Sequence, residues 1–61
     1  MTELKHQPEF MTVSQVAQVL QCGEGLVREM IRTNELASLR IGRLIRVPRA
    51  ALEALAEAKQ K

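Results

Sequence analysis

Aromatic side chains are almost absent from this sequence: Phe10 is the only one among 61 residues. That argues against a platform of exposed rings on which single-stranded bases would stack. Cysteine is as scarce. Cys22 alone makes no intrachain disulfide, which suits a reducing compartment, and its place after VAQVLQ fits a small buried hydrophobe better than a nucleophile. His6 is the single histidine, so no zinc cluster is expected. No apolar run approaches the roughly 18 residues that span a bilayer, and the first residues show no secretory pattern. The length suits one domain, with a core too small for a catalytic cleft of ordinary depth. Without a base–nucleophile pair, a metal set or a phosphate-binding loop, the sequence reads as a non-enzyme with no cofactor and no small-molecule substrate.

What is present is arginine, gathered in one place. Nine basic and seven acidic residues give a net charge of +2. All six arginines lie between positions 28 and 49, opposed there only by Glu29 and Glu35, so six positive and two negative charges leave a local +4. The three lysines fall outside that window. Arginine's planar fork grips phosphates and guanine edges through two bonds at once, so the segregation points towards nucleic acid.

Three segments are expected: a polar, flexible stretch over 1–10, a folded domain over 11–56 and a frayed tail over 57–61. Thr12 and Gln15 form a T-x-x-Q capping box, with Met11 and Val16 placed as a hydrophobic staple. Val13, Val16, Ala17 and Leu20 recur at helical spacing and predict a helix over 13–20, too short to hold without packing. The run CGEG interrupts it, and Gly23 is expected to start a second helix. There Leu26, Val27, Met30 and Ile31 form a stripe towards the core, leaving Arg28, Glu29 and Arg32 outside. Asn34 suits a left-handed helix end. Two helices separated by a few residues, the second carrying exposed arginines, make a helix-turn-helix arrangement.

After Leu36 the period changes from helix-like to strand-like. Leu39 and Ile41 alternate with Ser38 and Arg40, and Ile45 and Val47 with Leu44 and Arg46, around a bend at Gly42-Arg43. The expected hairpin has Arg40 and Arg46 on a shared outward face and Arg43 at its tip, with Ile41, Ile45 and Val47 holding it to the core. Pro48 fits the first turn of a last helix. AALEALAEAKQK is rich in helix formers, and Ala51, Leu52 and Leu55 are placed to cover the first two helices. The fold class is mainly α with a two-stranded hairpin: a winged helix-turn-helix in the order helix, helix, hairpin, helix.

Such a framework is suited to double-stranded DNA. Arg28 and Arg32, one turn apart, with Glu24 and Gly25 at the helix start, are the candidates for the major groove. Arg40, Arg43 and Arg46, with Arg49 behind them, are placed for flanking phosphates or the adjacent minor groove. Thr12 and Ser14 lie where helix amides meet a phosphate. For each arginine a solvated surface charge stays open as the alternative, most of all for Arg49.

The segments MTVSQVAQVL, QCGEGLVREMIR, TNEL and ASLRIGRLIRVPRAALEAL resemble the excisionase-type, MerR-like winged helix-turn-helix domain over about residues 11–55. NELASLRIGRLIRVPRAAL is the most specific part. The resemblance implies that the second helix enters the major groove, with Arg28 and Arg32 facing DNA, and that the hairpin is the wing, with Arg43 at its tip and Arg40 and Arg46 on its strands. The chain departs from the family at Gln21, where glycine is usual, at Gly23, where serine caps, and at Ile45, often tryptophan. Glu24 and Gly25 replace polar residues at the helix start; a glutamate there is repelled by phosphates, and either reads a cytosine amino group or stays clear.

Small free-standing members of that family resemble phage recombination directionality factors, which bind repeated sites beside an attachment site, bend the DNA and direct an integrase towards excision. The partners so implied are duplex DNA, neighbouring copies of the chain and a phage integrase, in the cytoplasm of a bacterial or phage-infected cell. Two alternatives stay open: a small phage or bacterial transcriptional repressor on the same fold, and a protein-binding module whose first helix and tail engage a partner. Leu26 and Leu44 are candidate contacts between neighbouring molecules.

Overall fold

The structure, a computed structural model, describes residues 8–59. Residues 1–7 of the expected N-terminal segment and the last two of the expected tail lie outside the described residues. The elements run β1 (Phe10–Met11), α1 (Val13–Leu20), α2 (Glu24–Arg32), β2 (Leu39–Ile41), β3 (Leu44–Pro48) and α3 (Arg49–Lys59). This is the expected winged helix-turn-helix with one strand more. β1 lies antiparallel to β3, Phe10 opposite Pro48 and Met11 opposite Val47, so the sheet order is β1-β3-β2. The Arg49 amide extends that seam by donating to the Glu9 carbonyl at 2.7 Å. Pro48, expected inside the last helix, instead closes β3 one residue before α3 begins.

Local chemistry explains where the helices start and stop. The Thr12 amide donates to Gln15 Oε1 at 2.9 Å and the Gln15 amide to the Thr12 hydroxyl at 3.0 Å, the reciprocal box expected at the head of α1. α1 ends on Gln21, whose φ of 56° is left-handed. Its amide donates to the Gln18 carbonyl at 3.2 Å and that of Cys22 to the Ala17 carbonyl at 3.0 Å, the paired bonds of a Schellman motif. Cys22 is thereby half-buried against the core. Gly23 is the N-cap of α2 and makes no side-chain capping bond. Asn34, at φ 64°, follows its other end and turns the chain so that Leu36, 1 % exposed, enters the core.

Six side chains are fully buried: Met11, Val16, Val27, Leu36, Val47 and Leu52. They come from both ends of the chain and from every layer, each stabilising the fold by roughly 1.5–3 kcal/mol relative to exposure. Among the described residues no polar or charged side chain is buried. In α2, Val27 is buried with Met30 and Ile31 half-buried beside it, but Leu26 is 55 % exposed, contrary to the expected stripe. At 100° per residue it lies further round the helix than Met30, beyond the line that reaches α1.

The hairpin corrects a third expectation. Leu39 pairs with Arg46, Arg40 with Ile45 and Ile41 with Leu44, around a two-residue turn in which Gly42 takes φ 60°. Residues directly opposite share a face. Arg40 therefore lies on the face of Ile45 and Val47, while Arg46 rises from the other face with Leu39, Ile41 and Leu44. The two arginines do not share a face, and Ile41, 56 % exposed, does not hold the hairpin down; Ile45 and Val47 do. Phe10, opposite Pro48, joins the outer face.

Candidate nucleic-acid interface

A cleft of about 280 Å³ opens where three elements meet. The first turn of α1 contributes Thr12, Val13 and Ser14; α2 contributes Glu24 and Arg28; the hairpin contributes Arg43 to Arg46. β1 pairs only with the foot of β3, so the upper part of that strand, at Leu44 to Arg46, is unpaired on this side and forms one wall. Six residues singled out in the sequence thus converge: Thr12, Ser14, Glu24, Arg28, Arg43 and Arg46. The other four candidates do not line the cleft. Gly25 and Arg32 lie on α2, Arg40 on the opposite face of the hairpin from Arg46, and Arg49 at the start of α3, paired with Glu53 at 3.6 Å.

Glu24 apart, the cleft's hydrogen-bonding groups are those an anion needs. The capping box occupies the amides of Thr12 and Gln15, and the Val16 amide makes the first turn's bond to the Thr12 carbonyl at 3.0 Å. The amides of Val13 and Ser14 are the ones a helix start leaves over for an outside acceptor. Arg43 stands at the tip, exposed beside Gly42. Arg46 is half-buried and donates through Nη1 to the Ile45 carbonyl at 2.9 Å, which keeps its stem along the strand.

Charge is distributed unevenly between helix and hairpin. On α2 every arginine has a carboxylate: Arg28 Nη2 lies 3.4 Å from Glu24 Oε1, and Arg32 is bonded to Glu29, its Nε donating at 3.1 Å. The Glu29 bonds hold the Arg32 guanidinium above its ordinary pKa, against a small opposing effect of desolvation. Two positive and two negative charges leave α2 neutral. The stretch from Leu36 to Leu52 contains no acidic residue at all. Among the described residues Arg40 and Arg43 have no carboxylate partner, so the hairpin presents its charge unopposed.

Of the apolar outer face of the sheet, the sequence pointed to Leu44 alone. Phe10, Leu39, Ile41 and Leu44 are all 43–56 % exposed on that face. A second groove, of about 390 Å³, lies between the loop at 34–37 and α3, lined largely by alanines and bridged by the Lys59–Glu35 pair at 2.7 Å. Among the described residues no group of acidic, histidine and cysteine side chains is placed to hold a metal, and no helix is long and apolar enough to cross a membrane.

The model of the helix-turn-helix domain family matches residues 10–60, most of the chain and all of the elements just described. The chain belongs to that family. It includes excisionase-like DNA-binding domains, and its members are typically non-enzymatic. Membership points to sequence-specific DNA binding, with α1 and α2 as the helix pair that names the motif. No curated protein matches the chain.

Proposed function

We propose that this helix-turn-helix chain is a phage excisionase: it binds repeated sites on attachment-site DNA, bends it, and directs an integrase towards excision. The observation that carries the DNA half of this reading is the convergence of α1, α2 and the hairpin on one cleft with Arg28, Arg43 and Arg46 on its walls. α2 lies in the major groove through Glu24, Gly25, Arg28 and Arg32. Arg43 and Arg46, with Arg40 from the other hairpin face and Arg49 behind, meet the backbone, and the first turn at Thr12 and Ser14 receives a phosphate.

The excision half rests on size and on the sheet. The folded helix-turn-helix unit offers few phosphate contacts, so useful affinity calls for several copies side by side. The exposed face of Phe10, Leu39, Ile41 and Leu44 supports contact between those copies. Bending then adds specificity that depends on DNA shape, while the strand chemistry belongs to the integrase.

The test is a gel-shift titration on circularly permuted DNA carrying the attachment-site arm of the element that encodes the protein. A ladder of discrete shifts, with mobility depending on the position of the site, is the expected result. One unbent shift on a promoter fragment, with none on the arm, replaces the excisionase reading by a repressor on the same fold. No specific shift on either DNA at low salt removes the DNA reading and leaves a protein-binding module.

A further inference from the structure

The first turn of α2 is built against the interests of the fold. Gly23 caps it without a side-chain bond, where serine or aspartate would supply one. Gly25 lies inside the helix, where glycine is a poor former, yet a Cβ built on it meets nothing within 4 Å and its backbone is not left-handed. Neither packing nor conformation asks for glycine there. Between them stands Glu24, a carboxylate on the wall of a cleft otherwise furnished with arginines. Glu24 suits a helix start and pairs with Arg28, but the two glycines that flank it, required by neither packing nor conformation, mark a surface shaped for something outside the molecule.

We propose that Glu24 is the residue that determines sequence specificity, acting as a filter against phosphate and as an acceptor for the amino group of a cytosine in the major groove. The inference rests on the DNA-binding reading above and goes beyond it by assigning the base. A carboxylate is repelled by every phosphate, so the start of α2 gains nothing from DNA backbone. The exocyclic amino group of cytosine is a major-groove donor that a carboxylate accepts well. Gly25 removes the side chain next to it and lets the helix start approach the base edges.

Arg28 completes the arrangement. In the free protein it is held by Glu24 at 3.4 Å, so its attraction for a random phosphate is already offset. When Glu24 takes a cytosine, Arg28 is released one helical turn away and can grip a guanine through O6 and N7. Four residues of helix rise about 6 Å, close to two base steps of about 3.4 Å. The preferred site therefore holds a C and a G within about two base pairs. The labour is divided: the unopposed hairpin arginines supply affinity for any duplex, and the charge-balanced helix supplies choice.

The experiment is selection of binding sites from a random duplex library by the full chain and by E24Q, E24A and G25A, with affinities for the selected and for a random duplex measured at several salt concentrations. Both positions are exposed, and circular dichroism checks that each of the three variants is folded. The wild type is expected to select cytosine at one position. E24Q is expected to turn that preference towards adenine, whose N6 and N7 suit a carboxamide. Both Glu24 variants should bind random duplex roughly three- to tenfold more tightly, with a salt slope steeper by up to about 0.9. G25A should keep the base preference and bind the selected site more weakly. An unchanged motif in E24Q and E24A, or no gain on random DNA, overturns the assignment while DNA binding stands. Failure of the wild type to bind any duplex at low salt removes the DNA reading itself.

Discussion

Leu39 stands directly opposite Arg46 across the β2–β3 ladder, so an exposed leucine and a guanidinium rise from one face of the sheet. Ile41 and Leu44 close that face at the turn, and Phe10 extends it at the foot. An apolar face of this kind on a small domain marks a surface made for contact. Replacing Ile41 and Leu44 together by threonine removes one cross-strand pair outside the core and is expected to lower stability by less than about 1 kcal/mol. On DNA with two adjacent sites the variant should lose cooperativity by roughly an order of magnitude, while its affinity for a single site is kept. Gel shifts on one-site and two-site fragments compare the two directly. An equal loss on both would place this face against DNA instead of against a neighbouring copy.

Arg43 is exposed at the turn with Gly42 and, among the described residues, has no carboxylate to leave. Arg43→Ala is therefore expected to weaken binding to every duplex alike. Losing one phosphate contact should make the slope of log K against log salt shallower by about 0.9. Arg32→Ala should do less, because Arg32 gives up Glu29 before it can meet a phosphate. Fluorescence anisotropy over a salt series on specific and random duplexes measures both slopes. A loss confined to the specific duplex would make Arg43 a base reader.

The features legible in the sequence are those decided by near neighbours. Thr12 and Gln15, three apart, announce the head of α1, and Asn34 its left-handed role after α2, because each bonds or bends within its own turn. The alternation within each hairpin strand is equally plain. The two-residue bend at Gly42-Arg43 already sets Ile41 opposite Leu44 and so puts Arg40 and Arg46 on opposite faces, while which of those faces packs inward is decided by the distant residues that cover Ile45 and Val47. β1 is two residues long, too short to show a period, and exists because β3 offers an edge to Phe10 and Met11. The cleft joins Thr12, Glu24 and Arg43 from segments far apart in the chain, a meeting that only the packing of α1 against α2 and β3 brings about.

The capping box carries a stability prediction of its own. Thr12→Ala removes the hydroxyl that accepts from the Gln15 amide and leaves Gln15 Oε1 as half of a broken pair. The expected cost is about 1 kcal/mol. In a domain this small that lowers Tm by about 4–8 °C. Thr12→Ser keeps the hydroxyl and should recover most of the loss. Thermal unfolding followed at 222 nm resolves the difference, and an unchanged Tm in Thr12→Ala would mean that α1 is held by packing alone.

Gln21 makes the opposite prediction. It occupies the left-handed region at φ 56° and ψ 49°, in the turn of the helix-turn-helix, with its amide and that of Cys22 both bonded back into α1. A residue with a Cβ is strained there by about 1–2 kcal/mol. Glycine relieves that strain but adds freedom to the unfolded chain worth about 0.4–1 kcal/mol. The balance favours Gln21→Gly by about 0.5–1 kcal/mol. Asn34→Gly, at φ 64°, should gain less, since asparagine tolerates this conformation better than glutamine does. Gln21→Val, β-branched, should instead destabilise. Urea titrations of the three variants order them, and a Gln21→Gly variant less stable than the parent would show that the glutamine side chain itself stabilises the turn.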